Sequence, residues 1–237
     1  MKVLMMGCSY GVPNFAGPPG DPPHTHLEQR LVEAGHTVYN LSLNGASNFE
    51  IFDRVDEYLA GIQVGYGSSI KWSPGLVKPE DFSVDLIIWF QTSMLRDLRD
   101  VNKFMSDYSE QFAHETYERL FNLKKKLGNP PLIAIGGVAP LYDFFSDYGE
   151  CLLVIDNLIE YLLQEPIPFS HLFGAMHTAA RYRFSKDPRL DEEITNANVV
   201  ADKVKASELF PDDSHPGGKA HQILFDHISE VINNRLL

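Results

Sequence analysis

Residues 7–11 read Gly7-Cys8-Ser9-Tyr10-Gly11. Two glycines around a serine permit a tight turn that lifts the hydroxyl away from the backbone, as a nucleophile requires. Near the other end stands Phe210-Pro211-Asp212-Asp213-Ser214-His215-Pro216. A carboxylate three residues ahead of a histidine, Asp212 before His215, can accept the ring Nδ1 proton and leave Nε2 as a general base. The adjacent Asp213 competes for that place, and Pro216 restricts His215 to extended backbone. A third segment is Asn44-Gly45-Ala46-Ser47-Asn48. Gly45 offers an N–H with no side chain in the way, beside a helix start where amides favour negative charge, and an oxyanion needs both. Taken singly, each segment also reads as an ordinary turn or helix cap.

Together, in this order, the segments resemble the SGNH/GDSL hydrolase superfamily over essentially the whole chain. That superfamily places a Gly-x-Ser serine after the first strand, a glycine after the second, an asparagine after the third, and Asp-x-x-His before the last helix. Gly7-Cys8-Ser9, Gly45, and Asp212 with His215 match the first, second and last blocks. The nearer resemblance is to a branch with Gly-Cys-Ser, Asn-x-x-x-x-Gly-Ala-Ser-Asn, Thr-Ser-x-x-Arg and His-Pro, here residues 7–9, Asn40 to Asn48, Thr92 to Arg96, and His215-Pro216. The resemblance implies an α/β/α sandwich and ester hydrolysis through an acyl-serine: Ser9 as nucleophile, His215 as base, Asp212 as its partner. It also implies a carboxylic ester substrate, first among them a short acyl group on a carbohydrate, and no cofactor. Where the superfamily has Gly-x-Asn-Asp, this chain has Gln91-Thr92-Ser93-Met94. The oxyanion amide is missing there, and Ser93, Thr92 or Asn48 is left to replace it. The altered block keeps two alternatives open: an acyltransferase on the same scaffold, and a non-catalytic binding or assembly protein. Because the branch resembles viral as well as cellular proteins, a virion stands beside the cytoplasm as a location.

Further residues carry weaker signals. Arg96, a planar donor fork, could clamp a substrate carboxylate or sugar hydroxyl, or pair with an acid. His24 and His26 could border the site, with His215 and His221 the conceivable partners for a metal, yet His26 falls inside a helix start and no metal is assigned. Tyr10, Phe15, Trp72, Tyr182 and Phe184 are loop aromatics suited to stacking on substrate or to packing. Cys8 reads as a packing residue, and Lys124-Lys125-Lys126 as a helix end.

The elements that must position these residues alternate as strands and amphipathic helices, the pattern of a flavodoxin-like, mostly parallel sheet in a three-layer α/β/α domain. Strands are expected at Lys2–Met6, Val38–Leu43, Val84–Phe90 and Leu132–Ile135. Thr25 to Glu28 forms a capping-box pattern opening a helix to Ala34. Ser47 to Glu50 forms a second, opening a helix with Ile51, Val55 and Leu59 on one face. A long helix is expected at about 107–127 with a stripe of Tyr108, Phe112, Leu120, Leu123 and Leu127. Cys151–Leu163 reads as a buried helix, and the last helix runs from about Gly218 with Leu224, Ile228, Val231 and Ile232 inward. Residues 61–82 read as a loop insertion, and 166–210 as a lid-like insertion within one domain spanning 1–237.

The 237 residues suit one domain. A content of 44% hydrophobic and 22% charged residues excludes wholesale disorder. With 32 Asp and Glu against 20 Lys and Arg, the net charge of −12 repels phosphate backbones and anionic lipid, so neither nucleic acid nor a membrane is expected as partner. Two cysteines make no disulfide framework or zinc quartet. The first apolar run stops at Gly7, too short for a signal-peptide core or a spanning helix, which makes the cytoplasm the expected location.

Overall fold

The computed structural model describes residues 1–12, 26–43, 45–65, 76–92, 94, 105–137, 139–166, 199, 202–204, 206–210 and 215–236, with no side chains for 105–109. Five strands, β1 (Lys2–Gly7), β2 (Thr37–Asn40), β3 (Leu86–Phe90), β4 (Leu132–Ile135) and β5 (Leu153–Ile155), form one sheet in the order β2-β1-β3-β4-β5. All neighbours pair in parallel. This is the flavodoxin-like order of a doubly wound sheet.

Alternation along the strands explains the layers. Val3 and Met5, with Leu86, Ile88, Phe90, Ile133 and Ile135, face one core, shared with helices α1 (Leu27–Glu33), α4 (Leu158–Leu163) and α5 (Gly218–Arg235). Leu4 and Met6, with Ile87, Trp89, Leu132 and Ala134, face the other, shared with α2 (Asn48–Leu59) and α3 (Met105–Lys126). Both faces are covered, so the central strands are apolar throughout rather than alternating. Each fully buried aliphatic side chain contributes about 1.5–3 kcal/mol, and β3 has five consecutive residues at 0% exposure.

Local chemistry sets the start of α2 as expected, while α1 takes its N-cap one residue after Thr25 and β2 ends before Leu43. Ser47 Oγ accepts from the Glu50 N–H and the Glu50 carboxylate accepts from the Ser47 N–H, a complete capping box for α2. α1 begins at Leu27 with His26 in the N-cap position, and Thr25 lies outside the described residues. β2 ends at Asn40, but its pairing to β1 continues irregularly, with Leu41 N–H donating to the Met5 carbonyl and Leu43 N–H to that of Gly7.

Four further expectations change. Cys151–Leu163 is not one helix: Leu153–Ile155 forms the edge strand β5, and α4 starts only at Leu158. Asn157 makes the break, its side-chain oxygen accepting from the N–H groups of Ile159 and Glu160. On α2 the inward stripe is Ile51, Phe52, Val55 and Tyr58, with Leu59 half-buried at its margin. On α5, Val231 is half-buried while Ala220 and His221 join Leu224, Ile228 and Ile232 inside. Within 166–210, Val204 and Phe210 are buried in the α1/α5 core, so this end of the segment is structural; 167–198 lie outside the described residues. The 61–82 insertion is pinned by an antiparallel bridge, Val64 to Leu76, and by Phe82 packing on Tyr39 and Tyr58.

Candidate active site

β1 delivers Ser9 to the sheet's carboxyl edge, where the strand order reverses between β1 and β3 and where doubly wound sheets form their ligand crevice. Ser9, Tyr10 and Gly11 form a single 3-10 turn, closed by Gly11 N–H donating to the Cys8 carbonyl at 3.0 Å. Small residues are needed here for space. A Cβ on Gly7 would stand 2.5 Å from Phe90 Cβ, and one on Gly11 would collide with Ser42 Oγ.

Across 206 positions of chain, His215 Nε2 lies 2.9 Å from Ser9 Oγ. With the ring proton on Nδ1, Nε2 accepts the serine hydroxyl at a distance suited to general-base proton transfer. Ser9 is 8% exposed and His215 is half-buried, so this hydrogen bond is partly shielded from water. The Tyr10 ring meets the imidazole edge-on at 5.7 Å. His215 precedes the α5 N-cap, Gly217, whose N–H donates to the Leu209 carbonyl at 2.7 Å. α5 is in turn held on α1: Arg30 donates to the Gln222 side chain and, at 3.2 Å, to the Gly218 carbonyl.

The other expected site residues fall differently. Gly45 is exposed at φ +72°, a left-handed conformation that favours glycine, and its N–H meets no acceptor among the described residues. It follows Leu43, which is bonded to Gly7 just before the nucleophile turn. Asn48 is fully buried at the start of α2, and its amide is committed elsewhere. Nδ2 donates to the Thr92 carbonyl at 3.0 Å and to Met94 Sδ at 3.3 Å, while Oδ1 accepts from the Thr92 N–H at 3.1 Å. Both amide hydrogens are used, so Asn48 holds the third loop rather than an oxyanion. Of the two readings open for Tyr10, packing holds: it is 3% exposed and meets the imidazole edge-on. Asp212, Asp213, Ser93 and Arg96 lie outside the described residues, as do His24, Phe15, Trp72, Tyr182 and Phe184.

Three participants went unread in the sequence. Gln91 stands at the end of β3 and is buried. Its Nε2 donates to the Pro140 carbonyl at 2.9 Å, and its Oε1 accepts from the Tyr117 hydroxyl at 2.9 Å. Tyr117 also accepts from the Tyr142 N–H at 3.0 Å, and burial raises its phenol pKa far above the ordinary range. Asn40, buried at the end of β2, bonds to Gly11, Glu28 and Ser42. Its only sequence signal was its place at the head of the Asn40-to-Asn48 block.

Neither thiol is an alternative nucleophile: Cys8 is buried in the α1/α5 core, and burial pushes the Cys151 pKa up to about 11. His26 and His221 are both buried, with ring centroids 5.0 Å apart. Among the described residues no group of three or more His, Cys, Asp or Glu is placed to hold a metal ion, and no helix is long and apolar enough to cross a membrane. No protein-family model matches the chain, and no curated protein matches it.

Proposed function

We propose that the protein is a serine ester hydrolase of the SGNH/GDSL type. The observation that carries this reading is the 2.9 Å contact between Ser9 Oγ and His215 Nε2, at the crevice end of a parallel sheet. In the proposed reaction Ser9 Oγ attacks the acyl carbon as His215 takes its proton, and the tetrahedral oxyanion is met by the N–H groups of Ser9 and Gly45. His215 then gives the proton to the departing alkoxide, leaving an acyl-serine. Water attacks next, losing a proton to His215, and the proton returns to Ser9 as the carboxylic acid leaves. Asp212 is proposed to orient the imidazole, with Ser93 and Arg96 on the substrate side. A short acyl ester of a carbohydrate is the first substrate to try, on the strength of the family resemblance.

One observation favours the non-catalytic reading. The amide side chains of Asn48 and Gln91, the two beside the third loop, are both committed to structural hydrogen bonds, so none replaces the superfamily's oxyanion asparagine. Losing one such donor costs about 10²–10³ in rate, which lowers an activity without removing it. Labelling with a fluorophosphonate probe decides between them. The expected result is one modification, on Ser9, abolished in Ser9→Ala and slowed at least about 10³-fold in His215→Ala. Folded protein that takes no probe would overturn the hydrolase reading.

A further inference from the structure

Asn40 is 1% exposed, and its one amide is divided among three segments of chain. Nδ2 donates to the Gly11 carbonyl at 2.6 Å and to Glu28 Oε2 at 2.9 Å, and Oδ1 accepts from the Ser42 N–H at 3.0 Å. Both amide hydrogens and the oxygen are therefore used. Each partner has a place in the site. Gly11 closes the turn that carries Ser9, Glu28 lies in the first turn of α1, and Ser42 leads from β2 towards Gly45.

We infer that Asn40, acting with Glu28, is a positioning residue that sets the Ser9 turn against His215; this rests on the serine-hydrolase reading above. The Glu28 carboxylate makes a charge-assisted bond that fixes the plane of the amide. With the plane fixed, the second N–H points at the Gly11 carbonyl and restrains the turn from rotating. Glu28 shares α1 with Arg30, which bonds Gln222 and the Gly218 carbonyl on α5, the helix that begins just after His215. The α1 backbone thus links the polar contacts at the Ser9 turn to those on the helix that follows His215. A nucleophile displaced by about 1 Å loses about 10²-fold in rate, the scale on which such a restraint acts.

The test is saturation kinetics of fluorophosphonate labelling on the full chain, with thermal midpoints in parallel. In the double variant Asn40→Asp/Glu28→Gln, the introduced side-chain amide can donate to the introduced carboxylate and the Ser42 N–H still donates to it, while the Gly11 carbonyl loses its donor and faces a carboxylate oxygen instead. The expected double variant folds, with a thermal midpoint lowered by the unpaired Gly11 carbonyl, and labels at least about tenfold slower at saturating probe, with the half-saturating concentration within about twofold. Asn40→Ala, read the same way, substitutes if the double variant fails to fold. A folded variant that labels at the wild-type limiting rate, or whose slowing lies wholly in half-saturation, overturns the assignment. Wild-type protein that takes no probe removes the hydrolase reading itself, and the positioning role with it.

Discussion

Gly7→Ala tests the placement of the nucleophile most directly. A Cβ at residue 7 would stand 2.5 Å from Phe90 Cβ, 2.7 Å from Phe90 O and 3.1 Å from Phe90 Cα. The shortest of these is about 0.9 Å inside ordinary van der Waals contact, and the obstacle is β3 itself rather than the end of a flexible side chain. Overpacking of this kind costs about 1–3 kcal/mol, which for a chain of this size lowers the thermal midpoint by about 2–12 °C. Relief requires β1 and β3 to separate at the residue pair Gly7 and Phe90, two positions before Ser9. Ser9 then moves relative to His215 by a comparable fraction of an ångström to an ångström, so labelling by a fluorophosphonate falls by up to about 10²-fold. Gly65→Ala is the control, because no atom of the described residues lies within 4 Å of a Cβ there and its φ is not left-handed. It should hold or gain about 0.4–1 kcal/mol through the lower entropy of the unfolded chain. The assay is urea unfolding of the three proteins together with their labelling rates. A Gly7→Ala protein within about 0.5 kcal/mol of wild type that labels at the wild-type rate would refute the described β1–β3 contact beneath the site.

Three further outcomes are expected. Tyr117→Phe removes a hydroxyl that donates to Gln91 and accepts from the Tyr142 N–H, and should cost about 1–3 kcal/mol in denaturant unfolding; Tyr58→Phe removes a buried hydroxyl with no partner among the described residues, and should be neutral or stabilising. Burial pushes the Tyr58 pKa up to about 12, above its unfolded value near 10, so its contribution is whole below about pH 10 and is lost as pH rises from about 10 to about 12. Thermal midpoints across that window should fall less steeply in Tyr58→Phe than in wild type. Native protein at pH 8 should react slowly with a disulfide reagent at both Cys8 and Cys151, and both should react promptly in urea, since burial shields the first and raises the pKa of the second to about 11.

The sequence showed those parts of the fold where one local signal dominates. The continuous β-branched and aromatic run Val84–Phe90 read as a strand buried on both faces, and the structure forms it over Leu86–Phe90, while Ser47 with Glu50 marked the start of α2 to the residue. Cys151–Leu163 misled because strand and helix are both apolar there, and periodicity does not separate a short buried strand from a helix segment. What parted them was Asn157, a cap that competes with helix propagation from inside the run. Val204 and Phe210 were missed for a related reason: two buried residues in a polar stretch leave no period to read, and only their packing against the α1/α5 core identifies them.

The candidate site was legible at its charged and nucleophilic ends and illegible between them. Ser9 and His215 declare themselves by type, and the end-of-strand rule for parallel sheets says why residues 206 apart can meet. Asn40, Asn48 and Gln91 could not be assigned from type, because an amide donates and accepts equally well to an oxyanion or to a neighbouring peptide. Their partners are loops brought close only after the sheet has formed: Gly11 against Asn40, Thr92 against Asn48, Pro140 against Gln91. Asn40 therefore ties the loop after β1 to the end of β2 and to α1, Asn48 ties the loop after β3 to the start of α2, and Gln91 ties that loop to the one after β4 and to α3. An uncommitted amide can follow a developing charge, but these are spent on fixing the frame. Among the described residues the charge stabilisation proposed for this site then falls to backbone N–H groups, Gly45 foremost, whose conformation at φ +72° is one that favours glycine.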